Sequence, residues 1–466
     1  MSSNLVLEQY ESGRPIADGT LGNLSATQDA ALRDLWRRLL AEFPKPANNS
    51  SHEDTTETPP TPLQPPLSAD SVSSAKEEGS SVSLSSHRRR FHQPSPSSPA
   101  PPTPTSAEKS SRSSSWFSFG GGNGTPTAAK AEPTAYRQLV GDVAVENSLP
   151  PARYSSAAMA RAAPTVRDAF WDTVLSDHPD VLLLRFLRAR KWNAGDALAM
   201  LLACLRWRQT EDIEWLIWTG ESRLNLGLMR SGVGAMRGTD RIGQPVLHIP
   251  VRLSDPKAQP FEQMVEYTVY LMEVARCVLH PPVEKVCLLI DTTDMSLANM
   301  DWAFFKTFLH YLEHYYPECL GLVLIYNASW VFNSLWKLIR PLLDPVVASK
   351  VHFAGTQKDL LRFIAPENLP IEMGGSDTFT YTYVMPAEGE NAAMFEEKAA
   401  DAAAAKHRDA CDDFEAATRV WVNSTTAAAS DSLETRSVAA DNVVAKSREL
   451  DTYRRARSQY HRTGVI

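Results

Sequence analysis

The run KVCLLID, Lys285–Asp291, is apolar at every position between its terminal charges. A strand wetted on one face alternates apolar and polar residues, whereas a strand covered on both faces does not. Three further runs read as strands: PVLHIPV at 245–251, GLVLIYN at 321–327 and KVHFA at 350–354. Helical spacing fills the gaps, over 261–280 and through MDWAFFKTFLHYLEHYY at 300–316. Strands alternating with helices predict an α/β unit, with a mostly parallel sheet and helices packed on it. The turn chemistry of GTDRIGQP, 238–245, precedes this unit, and LPIEMGG, 369–375, ends it. Its predicted span is 231–376.

Upstream, over 135–230, the pattern is helical. DAFWDTVLSD and PDVLLLRFLRARKWN predict short helices, and Asn193 reads as the N-cap of a helix carrying Leu198, Leu201, Leu202 and Leu205. Within residues 1–43, the segment 25–43 predicts an amphipathic helix through Leu32, Leu35, Trp36, Leu39, Leu40 and Phe43. Its apolar face suits docking on the folded domain or lying on a membrane surface. Residues 44–134, rich in Pro and Ser, are expected to be disordered, because such a segment cannot bury enough to offset its ordering entropy. HRRRFH and SSWFSFGGG stand out within it, as basic and aromatic elements. The Ala/Glu/Asp-rich tail, 377–466, predicts one or two helices that lean on the domain or stand free, with the basic YRRARSQYHRTG at its end.

The 466 residues carry a net charge of -8, which gives no support to a nucleic-acid partner. Five scattered cysteines without metal spacing read as reduced thiols of a cytoplasmic protein. No secretory signal and no apolar run of about 18 residues is visible, so membrane contact is expected to be peripheral. Enzymatic chemistry is not expected. HYLEH, His310–His314, matches the spacing of a zinc-protease class but lacks a third ligand. GGGNG, 120–124, has no strand before it and is rejected as a nucleotide loop. No metal site and no catalytic residue is assigned.

NASWVFNSLWKLIRPLLDPVVASKV, 327–351, poses a separate problem. On a helix, Asn333, Lys337 and Arg340 form one narrow polar stripe and the remainder is apolar. A surface helix ordinarily hides one apolar face. This one needs a second cover.

Taken in order, LLLRFLRARKWN, GTDRIGQPV, IDTTDMS, HYYPE, LDPVVASKV and ENLPIEMGG resemble the CRAL-TRIO lipid-exchange family, and most nearly its fungal phosphatidylinositol transfer proteins. The resemblance runs from about 165 to 375. It implies a helical N-terminal lead-in, a sheet floor and a gate helix over a lipid cavity. The gate maps to 330–343, with Phe332, Leu335, Trp336, Ile339, Leu342 and Leu343 toward the acyl chains, and Val286, Leu288 and Ile290 in the floor. One gate face would line the cavity and the other would meet a membrane on opening. A two-chain phospholipid carries roughly thirty methylenes, each worth about 0.8 kcal/mol out of water, so a carrier must replace the bilayer almost completely.

Carried over residue by residue, the headgroup set is Arg190, Lys191, Glu318 and Lys350. Cations suit phosphate, and a carboxylate accepts from inositol hydroxyls. The other reading of these residues is ion pairs pinning the lead-in to the domain. Three departures stand out. Cys319 replaces a common arginine and Val347 a common threonine. Val286 and Leu288 replace the Ser and Thr of phosphatidylcholine-binding members. A buried phosphate without those hydroxyls lies several kcal/mol higher. Weak phosphatidylcholine exchange is therefore expected, with phosphatidylinositol and a less polar second lipid, sterol or squalene-like, as ligands. A monomer is expected, without cofactor, in peripheral contact with endoplasmic reticulum, endosome or lipid-droplet membranes. Two alternatives stay open: a lipid-sensing scaffold for a GTPase or lipid kinase, and a carrier of haem or another hydrophobic small molecule, with Tyr267 and Tyr270 near the pocket.

Overall fold

A computed structural model describes residues 18–43, 165–279, 282–424 and 429–466. The predicted disordered segment, with its HRRRFH and SSWFSFGGG motifs, lies outside the described residues.

The chain enters through helix α1 (Ala26–Glu42), capped by Ser25 and Gln28 in a reciprocal capping box. Next come α2 (Val166–Val174), α3 (Pro179–Ala189), α4 (Ala194–Thr210) and α5 (Ile213–Thr219). Asn193 caps α4 as predicted, its side chain accepting from the Asp196 N–H at 3.1 Å. The sheet then begins with β1 (Ala235–Thr239) and β2 (Pro245–Pro250), followed by α6 (Phe261–Cys277), β3 (Val286–Asp291), α7 (Trp302–His314), β4 (Leu320–Tyr326), α8 (Trp330–Ile339) and β5 (Val351–Ala354). Two long helices close the chain, α9 (Glu397–Asn423) and α10 (Ala429–Arg454).

The five strands lie in the order β1-β2-β3-β4-β5. β2 to β5 are parallel, and β1 joins β2 antiparallel across GTDRIGQP. In that turn the Asp240 carboxylate accepts from the backbone N–H groups of Ile242 and Gln244. The alternation of side chains sorts the strands' apolar residues into two cores. Val246, Cys287, Leu289, Leu322 and Leu324 pack on Leu360, Phe363 and Ile364. Leu247, Ile249, Val286, Leu288, Ile290, Val323 and Ile325 face the opposite way, toward α8.

The third core is helical. α1 buries Leu32, Leu35, Trp36, Leu39 and Leu40 against α2, α3 and α4, and α9 and α10 add Phe414, Trp421, Ala440 and Val443 to the same cluster. Of the two uses open to the amphipathic segment, this is docking: the face that could have met a membrane is occupied by protein. The tail helices likewise lean on the domain. At its end, Arg454 pairs with Asp172, and Arg462 pairs with Glu221 and Glu390.

One buried knot ties both ends of the chain to α3. The Arg436 guanidinium donates to both Asp180 oxygens, at 2.5 and 2.7 Å, and Trp36 Nε1–H donates to Asp180 Oδ1 at 2.6 Å. Arg436 also lies over the rings of Phe414 and Trp421, 4.6 and 4.3 Å from their centroids. Burial works to raise the Asp180 pKa, but the Arg436 charge and hydrogen bonds outweigh it and bring it down to about 2.

Candidate functional site

Between the α8-facing side of the sheet and helices α6, α7 and α8 lies a cavity of about 290 Å³. The three predicted floor residues, Val286, Leu288 and Ile290, line it. α7 contributes Phe304, Phe305 and Phe308, α6 contributes Met264 and Leu271, and α8 contributes Phe332 and Ile339. These side chains make the wall predominantly apolar, the property of a pocket for a hydrophobic guest.

α8 is short because Ser329 caps its start and Pro341 ends its regular hydrogen bonding. Phe332, Leu335 and Ile339, spaced by three and four, are buried on the sheet. Trp336 is half-buried, stacked on Phe332 and set edge-on to Phe353 at 5.3 Å. Leu343 packs at the margin of the same cluster. Leu342 departs from the expected cavity-facing set: it is 44 % exposed. The tighter 3-10 turn Arg340–Leu342 rotates it off the buried stripe. Sequence spacing also assigned no role to Trp330, which is 80 % exposed at the start of the helix. With Leu338, 60 % exposed, and Leu342, it gives α8 an uncovered apolar face. The second face noted in the sequence is thus open to solvent.

The charged candidates divide. Lys350 Nζ meets Glu318 Oε2 at 3.4 Å, with Glu318 held in a left-handed conformation (φ 56) just ahead of β4. Arg190 and Lys191 make no ion pair with either. α3 ends at Ala189, Arg190 caps it, and Lys191 and Trp192 both adopt left-handed φ (49 and 67), which turns the chain away. Lys191 is exposed. Arg188, which pairs with Glu284 at 2.9 Å, and half-buried Lys285 are the further cations that act on Glu318. Burial favours a neutral Glu318, but Lys350, Lys285 and Arg188 outweigh it and hold the carboxyl below its ordinary range. Burial, then repulsion from Lys350 and Arg188, pushes the Lys285 ammonium down to about 8. Lys285 therefore stands in a cation-rich cluster without a hydrogen-bonded carboxylate of its own. The pinning ion pair considered for Arg190 falls to its neighbours: Arg185 Nη2–H donates to the Glu284 carbonyl at 3.2 Å, and Arg188 pairs with its carboxylate. The signal for Arg185 and Arg188 was their spacing of three on one helix, which marks a shared face; Lys285 gave no such signal.

A second charged group borders the cavity where the helical unit meets it. Glu273, wholly buried, accepts from Arg208 at 2.7 Å, Arg276 at 3.2 Å and the Tyr316 hydroxyl at 2.7 Å. Burial would raise its pKa; the two guanidiniums bring it down to about 2. Of the two departures near Glu318, the Cys319 thiol donates to the Tyr316 carbonyl and Val347 packs at the edge of the α8 cluster. All five cysteines are free thiols. The His310 and His314 rings stack 4.2 Å apart on α7, and among the described residues no group of three or more His, Cys, Asp or Glu side chains is set to hold a metal. No helix among them is long and apolar enough to cross a membrane.

Family comparison agrees with this architecture. Residues 229–375 match the CRAL/TRIO domain, and residues 131–203 match the CRAL/TRIO N-terminal domain. A CRAL-TRIO domain-containing protein of Schizosaccharomyces pombe is 37 % identical over 306 residues, 65 % of this chain and 69 % of that one. The phosphatidylinositol transfer protein CSR1 of Eremothecium gossypii is 34 % identical over 311 residues, 65 % of this chain and 71 % of that one. The SEC14 cytosolic factor of the same organism is 29 % identical over 212 residues, 42 % of this chain and 69 % of that one. The cavity beneath α8, the parallel sheet and these matches together identify the chain as a member of the CRAL-TRIO family.

Proposed function

We propose that this protein carries single lipid molecules between membranes, taking phosphatidylinositol and a less polar second lipid in turn. The observation that carries the reading is the apolar cavity under α8, bordered by Val286, Leu288, Phe332 and Ile339. A guest whose methylenes each gain about 0.8 kcal/mol on leaving water needs such a wall. The name of the similar CSR1 protein supports phosphatidylinositol as one ligand. Lys350 and Glu318, with Arg188 and Lys285 beside them, supply charges of both signs for a phosphate and its inositol hydroxyls. The uncovered face of α8, with Trp330, Leu338 and Leu342, is suited to meet lipid when the helix opens. The protein acts from the aqueous phase, peripherally, as a binding protein and not as an enzyme.

A transfer assay tests this. Donor vesicles carrying labelled phosphatidylinositol are mixed with unlabelled acceptors and the full-length protein. Wild type should accelerate transfer, and Lys350→Ala should abolish it while the circular dichroism spectrum at the assay temperature stays native. Transfer unaffected by Lys350→Ala moves the assignment to a lipid-sensing scaffold for a GTPase or lipid kinase. An absorbance scan of the purified protein tests haem as guest.

A further inference from the structure

Ahead of α1 the stretch DGTLGN, 18–23, closes on itself. The Gly19 N–H donates to the Asn23 carbonyl and the Asn23 N–H to the Thr20 carbonyl, both at 2.9 Å, and Asn23 Nδ2 donates to Asp18 Oδ1 at 3.1 Å. This compact loop sits on the charged cluster. Arg188 Nη1–H donates to the Gly19 carbonyl at 2.9 Å, and the Leu21 N–H donates to Glu284 Oε1 at 3.3 Å. Arg188 Nη2–H meets the other Glu284 oxygen at 2.9 Å. The loop therefore grips both members of that ion pair, and the Arg188 side chain is left only 10 % exposed. Glycine is needed at 19: its φ of 76 lies in the left-handed region, and a Cβ would stand 2.7 Å from Trp192 Cζ2.

The Gly19 carbonyl is the replaceable partner in this arrangement. Three cations, Arg188, Lys285 and Lys350, face two carboxylates, Glu284 and Glu318, so the cluster carries one positive charge in excess. Burial holds the Arg188 pKa below the ordinary arginine value even with Glu284 beside it, so the guanidinium is under-compensated. A neutral carbonyl offsets that charge less well than a phosphate oxygen, whose hydrogen bond to a guanidinium is charged at both ends. One phosphodiester supplies the missing negative charge. To bond Arg188 Nη1 it takes the place that the Gly19 carbonyl holds.

We infer that the Gly19–Asn23 loop is a strap that responds to the lipid headgroup: the phosphodiester of a bound phosphatidylinositol draws Arg188 from the Gly19 carbonyl, and the loop loosens. This rests on the reading of the charged cluster given above and adds a consequence at the entry to α1, where an anionic guest is registered and a neutral one is not. The coupling is reciprocal, so whatever loosens the loop tightens phosphatidylinositol binding by the same factor.

The test is hydrogen exchange read by mass spectrometry on the full-length protein, lipid-free, loaded with phosphatidylinositol, or loaded with diacylglycerol of the same acyl chains. Phosphatidylinositol should speed exchange of the 19–23 amides by about tenfold, the worth of one hydrogen bond to a charged group. Diacylglycerol should leave them at the lipid-free rate. Unchanged or slower exchange in the phosphatidylinositol-loaded protein overturns the inference and leaves the carrier reading intact. An equal acceleration by diacylglycerol, or by an excess of inorganic phosphate without lipid, does the same. Failure of the wild type to load phosphatidylinositol overturns both. Gly19→Ala crowds Trp192 and should exchange fast in every state. From a limiting amount of vesicles it should retain more phosphatidylinositol than wild type, by up to about tenfold. A loop that merely braces the site predicts the opposite, so retention at or below the wild-type level, with the loop exchanging fast, overturns the inference. The wild-type comparison needs no variant, and a poorly folding Gly19→Ala protein leaves the inference decidable.

Discussion

Lys285→Met tests whether the charged cluster is arranged for a ligand or for stability. Lys285 has only other cations and shared carboxylates around it, and its ammonium falls from the ordinary 10.5 to about 8. That fall corresponds to about 3 kcal/mol of native-state destabilisation at neutral pH, reduced by partial exposure to about 1–3 kcal/mol. The sign follows from proton counting. Below about pH 8 the folded and unfolded chains both hold the proton, and the penalty is complete. Between about 8 and 10.5 the unfolded chain holds more protons than the native one, so wild-type stability rises with pH; above 10.5 the penalty has gone. Methionine preserves the stem and removes the charge. In urea denaturation, Lys285→Met should be more stable than wild type by about 1–3 kcal/mol at pH 7 and equal to it near pH 10.5, provided the other groups titrate alike in both. In the vesicle assay at pH 7 the same variant should transfer phosphatidylinositol more slowly, because a phosphate loses a counter-charge. A variant less stable than wild type at pH 7, or a difference independent of pH, refutes the reasoning.

The buried Asp180–Arg436 pair should be costly to break: Arg436→Met leaves Asp180 unpaired and should destabilise by about 3–5 kcal/mol in the same denaturation assay. Because the Asp180 pKa is depressed to about 2, its contribution, about 2 kcal/mol, is complete above the ordinary 3.8 and is lost as pH falls toward 2; Arg436→Met should flatten that part of the acid unfolding profile. Installing hydroxyls on the cavity floor, Val286→Ser with Leu288→Thr, should raise phosphatidylcholine transfer by tenfold or more, at about 1–3 kcal/mol of stability, measured with labelled phosphatidylcholine in the vesicle assay.

The sheet was legible because the central strands β3 and β4 are largely covered on both faces, which leaves near-continuous apolar runs, and the ends of the four runs agree with β2 to β5 within a residue or two. β1 was not read: Ala235–Thr239, AMRGT, is an edge strand with a charge and a glycine, and its pairing with β2 is set by the turn between them. The same distinction holds in the site. The floor residues alternate along one strand, so sequence suffices to group Val286, Leu288 and Ile290. The cations of the charged cluster depend on where α3 stops. One left-handed residue more or less decides whether Arg188 or Arg190 reaches the cluster, and local propensity does not carry that decision. Lys285 enters the cluster through the fold alone, being distant in sequence from α3, Glu318 and β5.

The position of α3 links the chain's ends to the cavity wall and the charged cluster. α3 carries Asp180 at its first turn and Arg185 and Arg188 further along, so one rigid rod of about 16 Å joins the tail knot to the cavity wall and the charged cluster. Its first turn is fixed by Trp36 from α1 and Arg436 from α10, elements about 140 and 260 residues away in sequence. A helix held at one end by a buried bidentate pair does not slide, and both guanidiniums it presents keep their distance from Glu284. Loosening the knot should therefore reach the ligand as well as stability. If α3 is fixed by the sheet alone, Arg436→Met at a temperature well below its unfolding transition should transfer phosphatidylinositol at the wild-type rate. If the knot sets its register, transfer should fall while the fold, read by circular dichroism at that temperature, persists. The second outcome is expected, since the apolar packing that also holds α3 in the helical core is non-directional, whereas the bidentate Asp180–Arg436 pair fixes its register.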